Sequence, residues 1–256
     1  MRIFEVSHYD LDLIANSGQV FRWVRAAAGS YTIPAAGRLC KVSQRPLAPA
    51  TGSQRVRVEL TCDEPDVAFW ERYLALDDDY DDVFARIHAL GDSWMDQVLA
   101  CSDGVRVLHQ PLFETCVTFM TSSNNNIPRI TASIERMCGG PLAPFPSPCE
   151  LHGVVARDDC GLGYRRPWMG ALCDAFPGME ARLGGTTEED LATLQTLNGI
   201  GPKVAACIAL FALDHRDAYP VDTWMRKAHQ AHPIKLVPDI AGIQQQFIFH
   251  HMRAAR

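Results

Sequence analysis

Leu197-Asn198-Gly199-Ile200-Gly201-Pro202-Lys203-Val204-Ala205 separates two amphipathic runs. Upstream, Thr186-Thr187-Glu188-Glu189 has the spacing of a capping box, and Leu191, Leu194 and Leu197 continue one apolar face. Downstream, a second helix is predicted from Lys203 through Val204, Ile208 and Phe211 to Leu213, with Ala205, Ala206 and Ala209 small enough to let another helix approach closely. Two helices joined by Gly199-Ile200-Gly201 present the backbone amides that open the second helix, where unpaired donors and the helix dipole both favour a phosphate oxygen. Such a contact needs no basic bulk. On glycine spacing alone, an ordinary helix-helix turn explains the stretch equally well.

Lys203 adds a second signal. A lysine in the first helical turn faces the positive end of the macrodipole, which disfavours the ammonium and favours the free amine, a nucleophile. Further along, Tyr219-Pro220-Val221-Asp222-Thr223-Trp224 sets a carboxylate just after a proline. Asp222 is placed to cap the helix that follows, and in isolation capping accounts for it fully.

The preceding chain has a different rhythm. Up to about residue 62 apolar and polar residues alternate, most clearly in Arg55-Val56-Arg57-Val58-Glu59-Leu60, and turns such as Ile33-Pro34-Ala35-Ala36-Gly37 cut the pattern into short strands. From Asp63-Glu64-Pro65 onward the period lengthens, as in Val67-Ala68-Phe69-Trp70-Glu71-Arg72-Tyr73-Leu74. Pro111 opens a helix through Phe113, Cys116, Val117 and Met120, the polar stretch Ser122 to Asn126 interrupts it, and Ile127 to Met137 resumes helical spacing. The proline-rich run from Gly139 to Pro148 reads as a linker. The acidic stretch Asp77 to Asp82 reads as a solvated loop and helix start. The expected class is therefore α+β. An N-terminal antiparallel β-sheet domain with its following helices occupies residues 1–106, and a mainly α-helical region containing the helix-hairpin-helix occupies 107–256.

Composition narrows the functions. In a chain of 256 residues, 47% apolar and 21% charged, folding buries roughly three-quarters of the extended surface, and disordered, collagen-like and integral membrane classes are excluded. A net charge of −6 argues against gripping a polyanion by bulk electrostatics. Nine cysteines, without Cys-x-x-Cys, suit a reducing compartment, and Met1-Arg2-Ile3-Phe4-Glu5 lacks the character of a secretory signal. The expectation is an intracellular monomer that makes no membrane contact. His229, His232 and the pair His250-His251 lack a third ligand at suitable spacing, so no metal site is expected.

Leu197-x-Gly199-Ile200-Gly201-x-Lys203-x-Ala205 followed by Pro220-Val221-Asp222 resembles the helix-hairpin-helix DNA glycosylase superfamily. Four further features, Gly18-Gln19-Val20-Phe21-Arg22-Trp23, Ser122-Ser123-Asn124-Asn125-Asn126-Ile127-Pro128-Arg129-Ile130, Gly161-Leu162-Gly163-Tyr164-Arg165 and Cys207, resemble the 8-oxoguanine DNA glycosylase family. The resemblance implies a bifunctional glycosylase and apurinic/apyrimidinic lyase of base excision repair, acting on duplex DNA that holds 8-oxoguanine opposite cytosine, in the nucleoid or a nucleus. It also implies roles. Lys203 attacks C1′ of an extruded nucleotide, and Asp222 stabilises the cationic sugar. Asn124 fills the vacated space, Tyr164 wedges beside the orphaned cytosine, and Arg129 and Arg165 donate to that cytosine; Gly199 and Gly201 present amides to the DNA backbone.

For the damaged base, the resemblance assigns Gly18, Cys207, Gln245 and Phe249. In 8-oxoguanine N7 carries a hydrogen that the Gly18 carbonyl would accept, whereas guanine offers a lone pair. An unmatched buried contact of this kind costs about 1–3 kcal/mol, too little to discriminate alone. Cys207 lies four residues after Lys203 and would press on one side of the base. Gln245, which would read the pairing edge, and Phe249, which would stack, also share a face, although Gln244, Gln246 and Phe247 leave the register open by one residue.

No redox cofactor is needed, and no cysteine follows Cys207 to hold the iron-sulfur cluster that related enzymes carry. A monovalent cation at the hairpin carbonyls is neither indicated nor forbidden. This chain departs from the family where Asn198 stands for the usual proline, where Pro202 removes an amide, and where Trp224 replaces the histidine of animal members. Two alternatives stay open: an alkyl-base glycosylase, which would not need Lys203, and a non-catalytic helix-hairpin-helix DNA-binding module, which would need neither Lys203 nor Asp222.

Overall fold

The alternating segments pair as expected. In the computed structural model, which describes residues 1–47 and 55–254, five strands form one antiparallel sheet in the order β1-β5-β4-β3-β2: β1 Arg2–Ser7, β2 Val24–Ala27, β3 Ser30–Ala35, β4 Arg38–Pro46 and β5 Arg55–Thr61. Val56, Val58 and Leu60 turn inward while Arg57 and Glu59 lie on the other face, because side chains alternate along a pleated strand. Ala36 and Gly37, both at positive φ, close the β3–β4 hairpin with the twist that flanking strands favour.

One helix interrupts the predicted run of strands. Helix α1, Leu11–Asn16, is capped by Asp10, whose side chain accepts from the Leu13 amide at 3.0 Å, and it buries Leu11 and Ile14 against the sheet. The helix ends in a turn at Gly18, which has φ +85°.

Helices α2 (Val67–Tyr73), α3 (Tyr80–His88), α4 (Ser93–Ser102), α5 (Leu112–Ser122), α6 (Ile127–Cys138), α7 (Pro148–Arg157), α8 (Arg166–Glu180), α9 (Thr187–Leu194), α10 (Pro202–Ala212), α11 (Thr223–Ala231) and α12 (Ala241–Ala254) complete the chain. The capping box at Thr186 is present in full, with Glu189 returning a carboxylate to the Thr186 amide at 2.8 Å. Helix α10 packs on α5 and α9, and α12 on α4 and α11.

Two apolar cores result. One gathers the sheet, α1 and α2 with Trp70, Leu74 and Leu108; the other runs from Tyr80 on α3 to Ile248 on α12. Residues 105–108 thread between them. Arg106 is only 2% exposed, and its guanidinium donates to the carbonyls of Ser7 (2.6 Å), His8 (3.1 Å), Asp78 (3.2 Å) and Ala75, between the rings of Tyr9 and Tyr80. A buried charge persists only when its donors are occupied in this way.

The acidic stretch differs from its reading as a solvated loop. Asp79 caps α3, but the side chain of Asp78 is only 6% exposed and bonds His109 (2.9 Å), Arg216 (2.8 Å) and Arg72 (3.0 Å). Burial alone would push its carboxyl up; the His109 hydrogen bond and the charges of His109, Arg216 and Arg72 overcome this and hold it at about 2.

Candidate active site

Lys203 stands in the first turn of α10, with Gly201 as the N-cap and Pro202 at the first helical position. Its ammonium lies 5.4 Å from the centre of the Phe119 ring, which is stacked on Phe211 at 5.2 Å. One turn later on the same face, Cys207 is 3% exposed. Burial pushes its thiol up, the adjacent Lys203 opposes this through charge and a hydrogen bond, and nearby Asp222 adds to the rise. Burial thus favours the neutral thiol at Cys207, one turn from the Lys203 side chain.

Asp222 caps α11, accepting from the Met225 amide at 2.9 Å. The capping expectation is met, and the carboxylate lines the same hollow as Lys203. That inner pocket is also bounded by Gly18, Phe119, Cys207, Phe211, Gln245 and Phe249. It opens into a cleft of about 470 Å³ that again includes Gly18, Lys203, Asp222 and Phe249, with Trp224 and Arg253 on its walls. A groove of about 610 Å³ continues from Lys203 and Asp222 to Asn124 and Arg129.

The backbone at Gly18 permits a close approach. Its φ of +85° is a conformation that suits glycine, and a Cβ there would sit 3.3 Å from both the Phe249 ring and Arg253. Behind it, fully buried Gln19 fixes the turn: Nε2 donates to Ser17 Oγ (2.8 Å) and to the Arg106 carbonyl (2.7 Å), and Oε1 accepts from the Leu108 amide (2.9 Å). On α12, Gln244 directs its amide to Val237 and Lys235, while Gln245 and Gln246 both line the inner pocket. Gln246 donates to Gln245 Oε1 at 3.0 Å, and its own Oε1 is buried without a partner among the described residues.

The other group of expected residues gathers on a turn between α5 and α6. Asn124 is exposed at φ +49°, Asn126 caps α6, and Arg129 is exposed one turn later. Tyr164 is 54% exposed and packs edge-on against Trp168 at 5.2 Å. Arg165, by contrast, is buried. Nε donates to the Ser123 carbonyl at 3.0 Å, Nη2 to the carbonyls of Ser123 and Asn124, and Nη1 to that of Leu162 at 3.3 Å. Its fork holds the turn that carries Asn124.

The glycines of the α9–α10 turn differ from one another. Gly199 has φ +95°, and a Cβ would overlap Trp168 at 2.7 Å, so packing alone requires glycine there. A Cβ on exposed Gly201 would meet nothing within the chain. That leaves room for a ligand to approach the amides of the first turn of α10.

Phe119, Gln19 and Arg253 had not been singled out from sequence. Arg253 was within reach of the rule that paired Gln245 with Phe249, since it follows Phe249 by four. Gln19 stands inside the Gly18–Trp23 stretch that carries the resemblance, but its bonds to Arg106 and Leu108, like the place of Phe119, depend on segments far away in the chain.

The relatives of this chain define first a class, that of DNA N-glycosylase/lyases. The N-glycosylase/DNA lyase OGG1 of Arabidopsis thaliana is 33% identical over 91% of this chain and 67% of its own length. A probable N-glycosylase/DNA lyase of Methanothermobacter thermautotrophicus is 28% identical over 99% of this chain and 96% of its own. Among solved structures, the 8-oxoguanine glycosylase/lyase of Clostridium acetobutylicum, in complex with double-stranded DNA containing cytosine opposite 8-oxoguanine, superposes with a TM-score of 0.82 at 25% identity, covering 100% of this chain and 98% of that one. The sequence pattern of the 8-oxoguanine DNA glycosylase N-terminal domain matches residues 3–116. The chain belongs to the 8-oxoguanine DNA glycosylase family.

Proposed function

We propose that this protein is a bifunctional DNA glycosylase and apurinic/apyrimidinic lyase that removes 8-oxoguanine from duplex DNA, opposite cytosine, in base excision repair. The observation that carries the reading is the shared pocket: Lys203 and Asp222 face Gly18 and Phe249 across it. A stacked duplex cannot deliver a sugar carbon to a recessed amine, so the nucleotide must be swung out of the helix. The base then lies between Cys207 and Phe249 with its N7 hydrogen on the Gly18 carbonyl, and Gln245 reads its pairing edge.

Lys203 Nζ bonds to C1′ as the N9–C1′ bond breaks, and the bonding pair leaves with the base. Asp222 stabilises the positive charge that builds on the sugar. The new secondary ammonium gives up a proton to the base; O4′ then departs from C1′ with its bonding pair and takes up a proton from water, and a protonated imine remains. This imine acidifies C2′–H; loss of that proton expels the 3′ phosphate and cuts the strand. Lysine, carboxylate, water and DNA suffice for every step, so we read the enzyme as needing no redox cofactor and no iron-sulfur cluster.

The remaining assignments follow. Asn124 fills the vacancy, Tyr164 wedges beside the orphaned cytosine, and Arg129 donates to it. Arg165 holds the Asn124 turn, and its bonds to the carbonyls of Ser123 and Asn124 must loosen before it can reach the cytosine as well. Gly199 and Gly201 shape a hairpin whose amides face the DNA backbone. We take residues 1–106, which supply Gly18, and 107–256, which supply the other groups, as the two functional parts. The enzyme works where the cell keeps its DNA, nucleoid or nucleus.

Borohydride trapping tests the reading. The protein incubated with a duplex containing 8-oxoguanine opposite cytosine is expected to form a covalent adduct on reduction, with none for Lys203→Gln. An adduct in that variant would overturn it.

A further inference from the structure

Gln245, Phe249 and Arg253 stand at intervals of four on α12, and the third has been given no task. Arg253 is half-buried on the wall of the cleft, where it and Lys203 are the two cationic side chains among the described residues. Its guanidinium carbon lies 5.2 Å from the centre of the Phe249 ring. Nη1 donates to the Asn16 carbonyl at 3.2 Å and stands 3.3 Å from the position a Cβ on Gly18 would take. A positive charge is thus held at the edge of the glycine turn and against the stacking ring.

We propose that Arg253 recognises the C8 oxygen of the oxidised purine and supports the departing base, an inference that rests on the Lys203 reading above. With N7–H on the Gly18 carbonyl, the next ring atom is C8, so its oxygen faces whatever flanks Gly18 inside the cleft. A guanidinium only donates, and guanine has at C8 a hydrogen with nothing to accept a bond. The contact also strengthens during reaction. As the N9–C1′ bond breaks, its electron pair spreads over the base and reaches the C8 oxygen, so the charge beside Arg253 is greater in the transition state than in the ground state. The base becomes neutral when it takes the proton shed by the new C1′–nitrogen bond.

Three variants separate this role from a structural one. Arg253→Lys keeps the charge, Arg253→Gln keeps a donor for the Asn16 carbonyl without the charge, and Arg253→Met keeps neither. Single-turnover base removal is expected to fall about ten- to a hundredfold in the Gln and Met variants, as for loss of a charged hydrogen bond, and to be largely retained in the Lys variant. Trapping on a duplex with a preformed abasic site, where no base is present, is expected to proceed at the wild-type rate in all three. In duplexes whose 2′-fluoro substituent blocks the chemistry, the Gln and Met variants are expected to lose about tenfold of the binding preference for 8-oxoguanine over guanine. Wild-type base removal by Arg253→Gln, or an unchanged binding preference, would overturn the proposal. So would equal losses of abasic-site trapping and base removal, since the residue would then only hold the cleft together. Failure of the wild-type protein to trap would instead sink the Lys203 reading.

Discussion

The two walls of the cleft are held by different means. Lys203, Cys207, Asp222, Gln245 and Phe249 project from α10, the start of α11, and α12, whose hidden faces are anchored in the larger core by Ala205, Ile208, Ala209, Met225, Ile243 and Phe247. Opposite them, Asn124 rides on an exposed turn whose carbonyls converge on one guanidinium, that of Arg165. Many small apolar contacts fix the first wall; on the second, polar bonds hold the turn, the Arg165 fork together with the Asn126 cap and the bond from the Asn125 amide to the Thr121 carbonyl. Substitutions on the first wall should therefore change chemistry while sparing the fold. On the second, they should reach function through structure.

Asp222→Asn gives the sharpest version of this contrast and the largest effect. Asparagine caps a helix about as well as aspartate, so the bond to the Met225 amide survives and stability is expected to change by less than about 0.5 kcal/mol. Loss of the negative charge facing the cationic sugar is expected to slow base removal about a hundred- to a thousandfold. Thermal unfolding alongside single-turnover excision checks both halves. A lowered melting temperature with an unchanged rate would return Asp222 to the status of a cap.

Arg165→Met should do the reverse. It strips the carbonyls of Ser123, Asn124 and Leu162 of a shared charged donor, and a cost of about 1.5–3 kcal/mol in stability is expected for the loss of charged hydrogen bonds made by a buried guanidinium. Denaturant titration measures that loss. Affinity for an intact duplex should fall with it, yet saturating enzyme should still be trapped on abasic DNA, because Lys203 and Asp222 belong to the other wall.

The same division explains what could be read from sequence. Caps, periodicity and turn glycines are local, so the sheet, the helices around Gly199 and Gly201, and the capping role of Asp222 were legible. Helix α1 was not, because six residues give too short a period to stand out from the alternation on either side, although Asp10 followed by Leu11 and Ile14 carried the signal. Asp78 looked solvated in its acidic run, since the His109 and Arg216 that bury it lie 31 and 138 positions away. The hold of Arg165 on the Asn124 turn was hidden for the same reason, its acceptors Ser123 and Asn124 being 42 and 41 positions away. In the cleft, resemblance named the residues, but pairing Arg253 with Gly18 required α1 and α12 to be brought together in space.

Arg129 is the milder counterpart of Arg165 on the same wall and carries the smallest expected effect. It is exposed at the rim of the groove, so Arg129→Met should leave stability within about 0.5 kcal/mol of wild type. What it costs on DNA depends on what it touches. A phosphate contact would weaken all duplexes alike and lower the slope of log affinity against log salt by about one. A contact to the orphaned cytosine would instead cost about five- to tenfold when cytosine is opposite the lesion, and little when adenine is, because adenine has only a C2–H where cytosine offers the O2 acceptor. The proposed role requires the second pattern. Titrating both duplexes at two salt concentrations tells them apart, and a uniform loss would leave the second wall without a direct reader of the opposite base unless Arg165 gives up its hold on the turn.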